Sequence, residues 1–139
     1  MKVTSVHFKP YEIELTRPLG DANGPHGCTH ITMMAVYLET DAGITGISFS
    51  APGMQGMIQG LVETHIVGRD PRGVRGLWKR MVDHAFKGGN RGAITGAIGT
   101  IDLALWDLKA KANAEPLWKT LGASTRRTRG YASDIGLNL

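Results

Sequence analysis

Hydrophobic and polar positions change their period once along this 139-residue chain, just after Pro52-Gly53. Before that point the alternation is every second residue, the mark of extended backbone. In Lys2–Thr16, Val6 and Phe8, then Tyr11, Ile13 and Leu15, alternate with polar residues. Pro10 falls between the two runs and predicts a break there. His30–Thr40 carries apolar residues on both parities: Ile31, Met33, Ala35 and Tyr37 on one, Met34, Val36 and Leu38 on the other. That pattern predicts a central strand covered on both faces. Asp41-Ala42-Gly43 supplies turn chemistry, and Ile44–Ser50 returns as a third strand carrying Ile44, Ile47 and Phe49.

Past the switch, apolar residues step at three and four. Met54, Met57, Ile58, Leu61, Val62 and His65 predict a helix ending near Gly68. Asp70-Pro71 reads as the cap and first position of a second helix, with Val74, Leu77, Trp78, Met81, Val82 and Ala85 on its apolar face. After the glycine-rich segment Lys87–Gly92 comes the longest signal, Ala93–Ala112. Ile94, Ile98, Ile101, Leu105, Leu108 and Ala112 share one helical face, with Ala97, Gly99 and Ala104 beside it. Asp102, Asp107, Lys109 and Lys111 are expected on the remaining surface, and Pro116 cannot continue the helix. Strands followed by helices predict an α+β domain: a three-stranded, mainly antiparallel sheet and then a helical bundle.

Composition narrows the class. Hydrophobic residues make up 42% and charged residues 20%, which fits a globular domain rather than a disordered one. No apolar run approaches the roughly 20 residues of a membrane-spanning helix, and the first residues lack the core of a signal peptide. Cys28 is the only cysteine, so no internal disulfide forms, and a reducing, cytoplasmic setting is expected. The formal charge is +4. Arg72, Arg75, Lys79 and Arg80 gather near one helical face, and Arg126, Arg127 and Arg129 near the end. Trp78, which falls among them, belongs to the apolar face, and no nucleic-acid motif accompanies them, which favours a solvated face or a protein contact over nucleic acid.

The residues of the long helix carry more than a stripe. Ala97 to Ala112, AIGTIDLALWDLKAKA, resembles the signature helix of the mandelate racemase and muconate-lactonizing enzymes of the enolase superfamily. Glu115 to Ala123, EPLWKTLGA, is similar to the family's continuation, a short helix closed by glycine. The resemblance implies an enolase-type capping domain over residues 1–123. Residues 124–139 would be a linker and the start of a first barrel strand at Tyr131-Ala132-Ser133, with the remaining (β/α)-barrel outside this chain. The implied role is the substrate-specificity portion of a Mg²⁺-dependent acid-sugar dehydratase or racemase that abstracts a proton next to a carboxylate. Such chemistry uses a Lys or His base while Mg²⁺ holds the enediolate. On this reading the chain holds neither catalytic residues nor metal ligands, Mg²⁺ belonging to the barrel, and it is inert alone. The implied partners are a carboxylate substrate, a barrel in cis or as a separate chain, and further copies in a homo-oligomer. Nucleic acid and membrane are not among them. The alternative is an inert, stand-alone interaction module using the same fold.

In the family two loops of the capping domain close over the barrel mouth. They match Arg17–Thr29 and Ser50–Gln55 here. The polar groups expected at substrate are Arg17, Asp21, Asn23, His26, His30, Ser50 and Gln55. Arg offers a two-pronged contact to a carboxylate, and glycines let such a loop open and close. His26, Cys28 and His30 alternate on one side of an extended segment, but three groups fall short of a four-ligand zinc site. His65 is expected at the edge of the core, Met54 and Met57 in core or lid packing, and Trp106 and Trp118 in structural roles. Asp102 is expected to face solvent or to bond neighbouring backbone.

Overall fold

A computed structural model describes residues 1–20, 27–89 and 91–131. Three strands, β1 (Val3–Leu19), β2 (Cys28–Thr40) and β3 (Gly46–Ser50), form an antiparallel sheet in the order β1-β2-β3. Four helices follow: α1 (Gln55–His65), α2 (Val74–Ala85), α3 (Ala93–Ala112) and the short α4 (Leu117–Thr120). This is the α+β order expected from the change of period.

Pro10 does not break β1. It sits within a continuous strand opposite Met34. β1 is an edge strand, where only alternate N–H groups join the ladder and a proline is tolerated. β2 is central, as expected, but its two faces are covered unequally: Met34, Val36 and Leu38 are buried on one, whereas on the other Ala35 is buried, Met33 and Tyr37 are half-buried and Ile31 is exposed. β3 is shorter than the expected Ile44–Ser50 and faces the other way. Gly46 and Ser48 point inward while Ile47 and Phe49 are exposed.

The reason lies in α3, which packs on β2, β3, α1, α2 and α4. Its buried residues are Ala97, Ile98, Thr100, Ile101, Ala104, Leu105, Leu108 and Ala110. The helix approaches β3 so closely that a Cβ on Gly46 would collide with the Ala104 carbonyl and lie 2.5 Å from Leu108 Cγ. A strand met this closely by a helix backbone has no room for the large residues of its own pattern on that side, so they turn out. Two α3 residues expected on its free surface complete the joint. Asp107 Oδ2 accepts the Ile47 backbone N–H at 2.8 Å, and Lys111 Nζ donates to the Thr45 carbonyl at 2.8 Å and to Asp107 at 2.6 Å.

The core joins both layers: Val3, Val36 and Leu38 from the sheet meet Ile58, Leu61 and Val62 of α1, Leu77 and Met81 of α2, and Ile101, Leu105 and Leu108 of α3. α2 starts at Val74 with Gly73 before it and no side-chain cap. Asp70 instead bonds Arg72, accepting its backbone N–H and Nε at 3.0 Å, in a turn ahead of the helix. The Arg72 guanidinium and backbone N–H pull the Asp70 carboxyl down to about 2. At the other end Gly122 takes φ +80°, and its N–H and that of Ala123 return to Lys119 and Trp118, which closes α4 as the resemblance implies.

Candidate functional site

β3 pairs only with Met34–Leu38 of β2, so beyond Met34 the sheet narrows to a two-stranded ribbon of β1 and β2. Register fixes its two faces. Glu12 and Glu14 lie opposite Thr32 and His30 on the helix side; Tyr11 and Ile13 lie opposite Met33 and Ile31 on the outer side. The helix-side face is therefore buried and apolar near Val36 and Leu38, then polar and exposed toward the ribbon's tip. That tip carries the first of the two loops singled out from sequence.

The second loop leaves the end of β3 close by. Ser50 lies opposite Met34 and is half-buried, its Oγ donating to the Ala51 carbonyl at 3.2 Å. Pro52–Met54 then form a single 3-10 turn that touches β2, and Gln55 opens α1, exposed. Met54 is half-buried and lies against Gly96 of α3; a Cβ there would fall 2.6 Å from Met54 Cε. Met57, expected with it in packing, is exposed instead.

His30 and Ser50 share the helix-side face of the sheet, four β2 positions apart, about 13 Å along the strand. At that separation they do not touch. His30 is exposed, its Nδ1 2.9 Å from Thr29 Oγ1. Arg17 is exposed near the end of β1, where the register is irregular between Glu14 and Leu19. Asp21, Asn23 and His26 lie outside the described residues, as does the segment from Ala132 onward.

Acid–base and metal chemistry find little here. Among the described residues, no group of three or more His, Cys, Asp or Glu side chains is placed to hold a metal ion. A Mg²⁺ site needs converging carboxylates, so these residues do not fit one. Cys28 is exposed in β2. Asp102 is half-buried rather than solvent-facing and accepts a hydrogen bond from the Trp106 side chain; burial pushes its carboxyl up and that bond opposes the rise. Glu115 accepts from Thr120 Oγ1 at 2.9 Å and ties α4 to the end of α3. His65 is buried at the core edge, as expected. Its ring stacks at a tilt on His84 of α2 with centroids 4.6 Å apart, and its Nε2 has no hydrogen-bond partner among the described residues. Burial, then His84, Arg80 and Arg69, lower its pKa. A cavity of about 260 Å³ opens between α2 and α3, lined by Trp78, Val82, Thr95, Ile98 and Gly99. None of these lining residues is titratable. The basic face is partly neutralised: Arg72 pairs with Asp70, and Lys79 with Asp83 at 2.7 Å.

The family model for the mandelate racemase / muconate lactonizing enzyme N-terminal domain matches residues 14–122. The chain belongs to this family. The matched residues are the family's N-terminal capping domain. A D-galactonate dehydratase family member, RspA of Halomonas elongata, is 36% identical over 113 residues, covering 76% of this chain and 28% of the relative. An enolase-superfamily structure from Polaromonas sp. JS666 superposes with a TM-score of 0.80 at 30% identity, covering 100% of this chain and 38% of the other. L-Talarate dehydratase from the same organism, complexed with Mg and L-glucarate, gives a TM-score of 0.74 at 30% identity, with 87% and 35% covered. The chain thus spans under a third of the length of the first curated relatives it matches. Among the described residues, no helix is long and apolar enough to cross a membrane.

Sequence reasoning missed the joint of Gly46, Asp107 and Lys111 that fixes β3, and so the start of the second loop. The four-residue spacing of Asp107 and Lys111 was a visible signal for an ion pair. Its reach to β3 was not, because that depends on how α3 lies across the sheet.

Proposed function

We propose that this chain is the substrate-discriminating cap of a Mg²⁺-dependent acid-sugar dehydratase, of the kind that removes a proton next to a carboxylate. The observation that carries this reading is the ribbon, whose helix-side face turns from apolar to polar just before the loop expected over a barrel mouth. The dehydratase names among the relatives, and the glucarate and Mg in a related structure, support dehydration over racemisation. Residues 1–123 form the cap, and 124–139 lead into a barrel, in cis or as a separate cytoplasmic chain. Mg²⁺ and the base belong to that barrel, and the 139-residue chain alone has no activity. Arg17, Asp21, Asn23, His26, His30, Ser50 and Gln55 meet the substrate. Arg17 takes a carboxylate oxygen pair, and the imidazole, hydroxyl and amide groups bond sugar hydroxyls. Closing the loops excludes water while the barrel holds the enediolate. The relatives give the interaction-module alternative no support.

A cap exchange tests this. Residues 1–123 replace the matching part of a D-galactonate dehydratase relative, and Mg²⁺-dependent 2-keto-3-deoxy acid formation is followed over a panel of aldonates and aldarates. Dehydration with an altered substrate order is expected, with KM rising about tenfold or more in Arg17→Ala, the loss of one charge-assisted contact, and by less in His30→Ala. A folded chimera with the parent's unchanged substrate order would overturn the assignment of discrimination to this cap.

A further inference from the structure

α1 starts at Gln55, beside the second loop, and ends at His65, about 15 Å further along its axis. At that far end four basic groups gather: His65, His84, Arg80 and Arg69. His65 is 9% exposed, its ring lies against His84 of α2, and its Nε2 is buried without a hydrogen-bond partner among the described residues. Arg80 stands one turn before His84 on the same face of α2, and Arg69 follows α1 in the connection between the helices. Burial, then the charges of His84, Arg80 and Arg69, disfavours protonation of the His65 ring. The backbone holds Arg69 in place: its N–H donates to the Ile66 carbonyl at 3.1 Å, and its carbonyl accepts the Val3 N–H at 3.0 Å. Arg69, Arg80 and His84 are exposed, so the cluster opens to solvent on one side.

Each acid beside this cluster in sequence is engaged elsewhere. Asp70, next to Arg69, is gripped by the Arg72 guanidinium, and Asp83, next to His84, pairs with Lys79 at 2.7 Å. Glu63, two residues before His65 and so on another side of α1, accepts from Gln59 Nε2 at 2.9 Å. Among the described residues, no carboxylate pairs with His65, Arg69, Arg80 or His84. We propose that this junction of α1 and α2 binds a small dianionic oxyanion of the phosphate class, as inorganic phosphate or as the phosphate group of a metabolite. The charge count selects a dianion. Two guanidinium groups match its two charges, whereas a carboxylate side chain from elsewhere in the protein brings only one. The arginine N–H groups fork onto phosphate oxygens, and each neutral imidazole still donates through one ring nitrogen. The last carbonyls of α1 oppose an anion with about half an elementary charge, which the two arginines outweigh.

Histidine ring spectra of the 139-residue chain test this, recorded as inorganic phosphate replaces chloride at constant pH and ionic strength. Saturable shifts of the His65 and His84 signals are expected, while His7 and His30, exposed on the sheet, stay still. Sulfate should bind as phosphate does, and formate, a monoanion, about tenfold more weakly or worse. Glycerol 3-phosphate separates the two sources: binding about tenfold tighter than inorganic phosphate assigns the site to a phosphorylated metabolite, and equal or weaker binding to free phosphate. Arg69→Gln and Arg80→Gln should each weaken phosphate binding about tenfold, the loss of one charge-assisted contact, with the melting temperature unchanged. Arg75→Gln, on another side of α2, should leave it as it was. No saturable shift at His65 and His84 in the unaltered chain would overturn the proposal. So would equal shifts at His7 and His30, formate binding as tightly as phosphate, or binding that survives the two arginine substitutions together.

Discussion

The two ends of the β1–β2 pair are built from the same kind of alternating sequence, yet they behave as different materials. Near Val6–Leu38 and Phe8–Val36 the inner face meets α1, α2 and α3 and joins the core. Past Pro10 and Met34 the inner face is Glu, Thr and His, and the only apolar side looks outward. The first end is held by burial inside this chain. The second is covered by no described element on either side.

The sharpest way to break that contrast is Gly46→Val. It drives a branched side chain into the Ala104 backbone and Leu108, neither of which can yield as a flexible tip would. A loss of about 3 kcal/mol or more is expected in urea denaturation, at or beyond the usual cost of overpacking. Leu105→Ala at the covered end should cost about 2–5 kcal/mol, whereas Ile13→Ala on the ribbon should stay within about 0.5 kcal/mol. Equal losses would show that the ribbon is as integral to the fold as the core.

Asp107→Ala tests the joint itself. It leaves the Ile47 N–H and Lys111 without their carboxylate, and about 1–2 kcal/mol should go, with faster amide exchange at Ile47. Asp107→Glu, with the carboxylate displaced by one methylene, should recover only part.

Acid should loosen the α1–α2 contact more mildly. The pKa of His65 is lowered in the fold, so the unfolded chain takes up the proton more readily. Stability from this residue is complete above the unfolded value of 6.5 and declines as pH falls below it toward the folded value. Melting temperature followed from pH 7.5 to 5 should fall, and His65→Leu should remove that part of the slope. The smallest effect belongs to Lys79→Ala, which breaks an exposed ion pair with Asp83 and should cost under about 0.5 kcal/mol.

How much of this was legible depended on what each residue answers to. The bounds of α3 were readable because its period and the following Pro116 act locally. So were the sheet order and the closing Gly122. Pro10 misled because its meaning turns on whether β1 is an edge strand, a fact of the whole sheet. Ile47 and Phe49 misled because hydrophobicity marks a face to be covered without saying by which molecule. Asp70 had the right chemistry for a helix cap, but the nearer Arg72 guanidinium claimed it. At the candidate site, Ser50 and His30 come to one face only through a register that pairs residues far apart in sequence. Arg17, beside the irregular end of β1, has no such register to read.

The Asp107–Ile47 bond spans 60 residues of sequence. A ribosome adding about 5–20 residues each second delivers α3 roughly 3–12 s after β3. Through that interval the finished strands present Val36, Leu38 and the bare backbone of Gly46 to the cell, with the helix that shields them still unmade. The domain's hazard on the way to the native state is thus set by the order of its elements: its sheet comes first, and its cover last.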